Sequence, residues 1–224
     1  MRLKAAIIGS SGGSALAAAQ MCIGAAGHAL ELIVLSDRSC GLSSWARNFG
    51  HETLEIDFVD RISFSARALE FFSSRDCEEV LLFYTRLVGT PLIDRVRVWN
   101  IHPALLPAFR GLRGVQDAYC SGVSILGCTL HMVDADVDTG PIFSQVACPV
   151  DRNGTLRDWM RISFVQKVAL TLIWYEYLAS GRVGNRCAMP LKVGPMISSH
   201  EIVDRPLRQA YEKWESELES QPSC

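Results

Sequence analysis

The stretch Leu3-Lys4-Ala5-Ala6-Ile7-Ile8-Gly9-Ser10-Ser11-Gly12-Gly13-Ser14 reads as a buried strand, a glycine-serine turn and the start of a helix. Leu3 to Ile8 is apolar almost without interruption, as in a strand covered on both faces. The helix that follows extends from Ser14 to about Ala25. The same unit then recurs. Glu31 to Ser36 predicts a second strand, Leu42 to Phe49 a helix, and Glu52 to Ile56 a short strand. Asp60 to Phe72 predicts an amphipathic helix with Ile62, Phe64, Ala66, Leu69, Phe71 and Phe72 on its apolar positions, and Glu79 to Tyr84 another buried strand. Strands alternating with helices imply an α/β protein with a mostly parallel, twisted sheet, doubly wound, with helices on both faces.

After Asn100 the pattern changes. A helix near Gly114 to Ser121 precedes two β-rich runs, Ile125 to Val133 and Ile142 to Val150, expected to extend the sheet with antiparallel additions. Leu156 to Ala179 is the longest helical stretch, and from Gly181 to Ser199 periodicity is lost. Asp204 to Leu218 reads as a charged amphipathic helix, with Leu207, Tyr211, Trp214 and Leu218 at near-heptad spacing. It is expected to pack on its own domain, with a twin subunit, and so a homodimer, as the other partner. The organisation expected is a domain over residues 1–183 and a C-terminal extension over 184–224.

Composition narrows the function classes. Of 224 residues, 49% are hydrophobic and 21% charged, and the formal net charge of −2 gives no electrostatic case for nucleic acid or an anionic membrane. The eight cysteines contain no C-x-x-C pair and several sit in apolar runs, which suggests reduced thiols in the cytoplasm. Met1-Arg2-Leu3-Lys4 mimics a signal peptide, but Gly9 to Ser14 interrupts the apolar run and Ala15 to Ala26 is too short to span a bilayer. His28, His51, His102, His131 and His200 lack ligand spacing. Asp134, Asp136 and Asp138 lack the glycine and terminal glutamate of a calcium loop, so no metal is expected.

One constellation can do chemistry. Arg97-Val98-Trp99-Asn100-Ile101-His102 predicts a short strand on which Asn100 and His102 share a face. Pro103, without an N–H, ends ladder pairing and leaves both side chains at a strand end. Asp138 lies in an acidic, glycine-terminated turn after a second strand. If the two strand ends meet, an amide donor, an imidazole and a carboxylate converge, a set suited to acyl transfer. A structural histidine is the plainer reading of His102. Thr129 and His131, on alternate positions of the later strand, are further candidates for the same pocket. The Ser10–Ser14 turn is either an anion site at a helix N-terminus or an ordinary strand-to-helix turn.

The segments Asn100-Ile101-His102-Pro103-Ala104-Leu105-Leu106-Pro107-Ala108-Phe109-Arg110-Gly111 and Gly127-Cys128-Thr129-Leu130-His131-Met132-Val133-Asp134-Ala135-Asp136-Val137-Asp138-Thr139-Gly140-Pro141-Ile142 resemble the folate-dependent formyltransferase family. The resemblance covers most of residues 3–183, and within the family it is strongest to the phosphoribosylglycinamide formyltransferases. It implies a Rossmann-like formyltransferase fold, 10-formyltetrahydrofolate as formyl donor and a small-molecule primary amine as acceptor. It assigns catalysis to Asn100, His102 and Asp138. It also implies a folate pocket at Thr85, Arg86, Leu87 and Val88 and at Asp134, Ala135, Asp136 and Val137.

The acceptor side departs from that branch. Gly13 and Ser14 match its acceptor loop, whereas Gly12 and Ala15 stand where it usually has asparagines. Lys167 falls where it usually has a glutamate, and Arg113-Gly114-Val115 replaces a His-Thr-His stretch. These departures imply an altered acceptor, anionic in part, held by Gly12, Gly13, Ser14 and Lys167, with Arg61 or Arg113 nearby. The plainer reading of Lys167 is a helix lysine facing solvent. The alternatives left open are an ordinary phosphoribosylglycinamide formyltransferase, a formyltetrahydrofolate hydrolase, and a folate-binding protein without catalysis.

Overall fold

The computed structural model describes residues 3–180 and 196–220. Eight strands form one sheet in the order β3-β2-β1-β4-β5-β6-β7-β8. They are β1 Leu3–Gly9, β2 Leu30–Ser36, β3 Glu52–Glu55, β4 Glu79–Phe83, β5 Arg97–His102, β6 Ile125–Met132, β7 Ile142–Pro149 and β8 Ile197–Ser198. The first five strands pair in parallel, and β6, β7 and β8 add antiparallel. This is the mostly parallel, doubly wound sheet with antiparallel additions that the alternating pattern implied, and the Rossmann-like arrangement that the resemblance implied. Strand order reverses between β1 and β4, so the crevice beyond their carboxyl ends is where such sheets bind ligands.

The helices are α1 Ser14–Ala25, α2 Gly41–Asn48, α3 Arg61–Ser73, α4 Gly114–Ser121, α5 Leu156–Ser180 and α6 Arg205–Glu219. The expected elements recur with ends moved by at most one residue, and at α3 and α6 the start moves because the capping residue sits outside the helix proper. Asp60, for example, is the N-cap of α3 and accepts from the backbone N–H groups of Ile62 and Ser63. The apolar face of α3 differs from the expected one. Phe64, Ser65, Ala68, Phe71 and Phe72 are buried, while Ile62 is 64% exposed. The Ser65 hydroxyl is turned inward to accept from the Gly89 backbone N–H at 2.9 Å. A polar side chain with a private partner can thus occupy a core position that hydropathy denies it.

Two apolar layers flank the sheet. One joins α1, α5 and α6 to Trp99, Ile101, Cys128 and Leu130; the other joins α3 to Ile8, Leu82, Val88 and Val98. Leu207 and Tyr211 of α6 are fully buried in the first layer. The boundary placed at residue 183 and most of the aperiodic 181–199 stretch lie outside the described residues. Cys22, Cys40, Cys77, Cys120, Cys128 and Cys148 are free thiols, and Cys187 and Cys224 fall outside the described residues. Among the described residues no helix is long and apolar enough to cross a membrane.

Glu215 is also buried on the inner face of α6. Burial, with added repulsion from Glu219 and Glu212, raises its carboxyl from the ordinary 4.5 to about 7. A folded-state value above the unfolded one means the stabilising contribution is complete below about pH 4.5 and is lost as pH rises through 7. The Glu215→Gln variant should therefore gain on the wild type as pH rises from 5 to 8, by roughly 2–3 kcal/mol at 1.36 kcal/mol per pH unit. Urea unfolding at both pH values measures this; an unchanged difference between the two proteins would contradict it.

Candidate active site

A cleft of about 340 Å³ opens at the carboxyl ends of β4 and β5. The parallel register sets Leu82 opposite Asn100, and the antiparallel register sets Asn100 opposite His131 and His102 opposite Thr129. Asn100, His102 and His131 therefore stand together at one strand end. Asp138 reaches them from the loop between β6 and β7, where its backbone adopts a left-handed φ of 52°.

Asp138 is the hub. Its Oδ2 accepts the Gly111 backbone N–H at 2.8 Å and lies 3.2 Å from His102 Nδ1. Its Oδ1 lies 3.4 Å from Asn100 Nδ2 and 3.5 Å from His131 Nε2. Burial pushes this carboxyl up, but the adjacent His131 imidazole, the Gly111 backbone N–H and the nearby His102 outweigh it and hold its pKa below the ordinary value. Burial pulls the His102 imidazole below its ordinary value, and the Asp138 charge and the Phe109 carbonyl only partly offset this. His102 Nε2 donates to that carbonyl at 2.7 Å. With an acceptor at each ring nitrogen, protonation of His102 completes a second bond, to Asp138. His131 Nδ1 donates to the Met132 carbonyl at 2.8 Å, which leaves Nε2 to accept from Asn100 Nδ2 at 3.2 Å.

The acidic loop is held by a close backbone approach. A Cβ on Gly140 would fall 1.9 Å from the Met132 carbonyl oxygen, and the Pro141 carbonyl accepts from Met132 N at 3.0 Å. Gly140→Ala should cost about 1–3 kcal/mol in urea unfolding. It should also depress turnover, since Asp138 lies two residues away on the displaced loop. Unaltered stability would show that the turn relaxes freely.

Of the residues singled out by sequence, Arg86, Leu87, Val88 and Asp134, Ala135, Asp136 and Val137 all line the cleft, as does Lys167. Lys167 is half-buried there, so the solvent-facing reading fails. The Arg86 guanidinium is engaged by buried Asp37 at 3.2 Å and by the Phe58 ring at 4.4 Å, leaving mainly its backbone to the cleft. Gly12, Gly13 and Ser14 are not among the cleft-lining residues; Ser11 is. Gly13 serves packing instead, whereas a Cβ on Gly12 would meet nothing within 4 Å. Gly13 has φ 69°, and a Cβ there would fall 2.6 Å from Leu42 at the start of α2. Arg113 does not line the cleft either: it is exposed and turns to Asp117, one helical turn on. Arg61 does line it.

His131 was one of two open candidates, and only strand pairing separates them. Thr129 instead accepts from Leu106 N at 3.0 Å and donates to the Ala104 carbonyl at 2.7 Å, fixing the loop after His102. Asp37 carried no sequence signal, because its role depends on Arg86 far along the chain.

A doubly wound sheet with an amide, an imidazole and a carboxylate converging in a cleft at the carboxyl ends of β4 and β5 is the framework of an acyl- or formyl-transfer protein. Comparison narrows this. A family model described as formyl transferase matches residues 73–170. The phosphoribosylglycinamide formyltransferase of Bacillus subtilis (strain 168) is 37% identical over 102 residues, covering 44% of this chain and 52% of the relative. The match thus spans about half the length of that curated relative. The formyltetrahydrofolate deformylase of Escherichia coli is 39% identical over 103 residues, 45% of this chain and 37% of the relative. The crystal structure of glycinamide ribonucleotide transformylase 1 from Symbiobacterium toebii superposes with a TM-score of 0.72 at 32% identity, covering 81% of this chain and 90% of that one. The chain belongs to the folate-dependent formyltransferase family.

Proposed function

We propose that this protein transfers a formyl group from 10-formyltetrahydrofolate to the primary amine of a small molecule. The observation that carries this reading is the convergence of Asn100, His102 and Asp138 on one cleft wall. The slot beside them, walled by residues 84–88 and 134–137, combines apolar side chains with backbone groups and suits the flat, polar-edged pterin of the donor. The amine nitrogen attacks the formyl carbon, giving a tetrahedral oxyanion; the carbon–N10 bond then breaks, N10 takes a proton and tetrahydrofolate leaves. Asn100 gives up its long 3.4 Å bond to Asp138 and donates to the oxyanion. Protonated His102, its N–H groups directed at Asp138 and Phe109, acts through its charge. Asp138 orients His102 and receives the amine proton through water.

The acceptor end differs from that of the phosphoribosylglycinamide formyltransferases. Lys167, which lines the cleft, stands where that branch usually carries a glutamate, and an ammonium in place of a carboxylate reverses the local field. The test follows tetrahydrofolate release by absorbance, without amine and then with glycinamide ribonucleotide, amino acids, amino sugars and polyamines. Amine-dependent release supports transfer, and efficient use of glycinamide ribonucleotide would remove the altered-acceptor part. The similarity to the Escherichia coli deformylase favours one second reading, hydrolysis with water as acceptor, for which release would need no amine.

A further inference from the structure

The two layers of the fold supply different parts of the cleft. Tyr84, Val88 and Val133 belong to the α3 layer, which strand alternation also gives to Asn100 and His102. Lys167 comes from α5, on the opposite layer with Trp99, Ile101 and Cys128. The donor slot and Lys167 thus approach the reacting groups from opposite sides of the β5 end. Lys167 is half-buried, and among the described residues it has no ion pair or hydrogen-bond partner for its ammonium. Asp138 is occupied by His102, His131 and Gly111. Arg61, the other cation lining the cleft with no ion pair among the described residues, is exposed and lies against Gly89, on the donor side. A half-buried ammonium without a counter-ion loses solvation and gains nothing in return.

We infer that Lys167 is the counter-ion for the acceptor: the acceptor is a small amine carrying a carboxylate or a phosphate-like group within a few bonds of the reactive nitrogen. This rests on the formyl-transfer reading and names its substrate class. A nucleotide whose phosphate lies across a ribose from its amine does not meet the requirement. The charge of Lys167 also opposes protonation of His102. Burial is the larger opposing effect, and an anion seated on Lys167 removes only the part due to its charge, which favours the imidazolium in the presence of the correct acceptor.

The test compares three amines of similar size: glycine, aminomethylphosphonic acid and neutral glycinamide. Each is assayed by tetrahydrofolate release with wild type and with the Lys167→Met, Lys167→Glu and Lys167→Arg variants. The wild type should prefer at least one anionic amine over glycinamide by roughly ten-fold or more in kcat/KM, the scale of one charge-assisted hydrogen bond. Which anionic amine is preferred separates carboxylate from phosphate-like acceptors. Lys167→Met should erase the preference through the acceptor KM while the KM for 10-formyltetrahydrofolate stays put; Lys167→Arg should keep it and Lys167→Glu should reverse it. Lys167→Met should also move the His102-governed limb of the pH profile upward, which a merely structural lysine would not do. Amine-dependent release without anion preference, or with a preference that survives in Lys167→Met, overturns this inference and leaves formyl transfer standing. Release indifferent to every amine overturns both.

Discussion

Asn100→Ala should lower kcat by a hundred-fold or more, on the order of the 2.7–4 kcal/mol lost when one oxyanion donor is removed. The reason lies in how the carboxamide is held. One N–H is fixed by His131 Nε2 at 3.2 Å, while the other meets Asp138 at 3.4 Å, too long to be a strong bond. The ground state therefore surrenders little when that N–H turns to a developing oxyanion, and the gain falls mainly in the transition state. Alanine removes the donor but leaves β5 paired on both sides. His131 Nε2 loses one partner, a cost of about 1 kcal/mol to stability. Single-turnover release of tetrahydrofolate, read beside a urea unfolding curve, checks both halves. Turnover within ten-fold of wild type would remove Asn100 from the oxyanion site.

Asp138→Asn should be at least as damaging, about 10²–10⁴-fold in kcat, the range spanned by general acid–base groups. The asparagine keeps the size of the side chain and can still accept from Gly111. It removes the charge that works against burial at His102. With that charge gone, burial and the repulsion from His131 and Lys167 act on His102 with less opposition, so its pKa falls further. The imidazolium-dependent part of the rate should then be lost at lower pH than in the wild type, and lowering the pH should recover some activity. Binding of 10-formyltetrahydrofolate, followed by tryptophan fluorescence, should change far less than turnover. A pH profile with an unshifted limb would separate Asp138 from His102 and break the proposed relay.

Most of the architecture is written in local periodicity. The nearly continuous apolar runs of β1, β2 and β4 read as buried strands, and the intervening 3.6-residue patterns as surface helices of a layered fold. The face shared by Asn100 and His102 follows from alternation along β5, and Pro103 marks where that strand opens into a loop. The candidate groups were therefore legible as residue types at strand ends, before any contact was known.

What the sequence could not carry was every relation that depends on which strand lies beside which. Antiparallel pairing of β5 with β6 sets His131 against Asn100 and turns Thr129 to the loop after His102; from the chain alone the two were equivalent. The buried Asp37–Arg86 pair, the inward Ser65 and Glu215, and the withdrawal of Gly12, Gly13 and Ser14 from the cleft likewise depend on partners far off in the chain. Lys167 gives the sharpest case. Helical spacing leaves a lysine free to face solvent, and only the packing of α5 against β6 brings its ammonium to the same cleft as His102. Sequence by itself determined the parallel core, its helices and the chemical kinds of the site residues, because period and propensity act over a few neighbours. The tertiary structure alone decided which of those groups meet and with what charge around them, because hydrogen bonds and electrostatic fields act across space rather than along the chain.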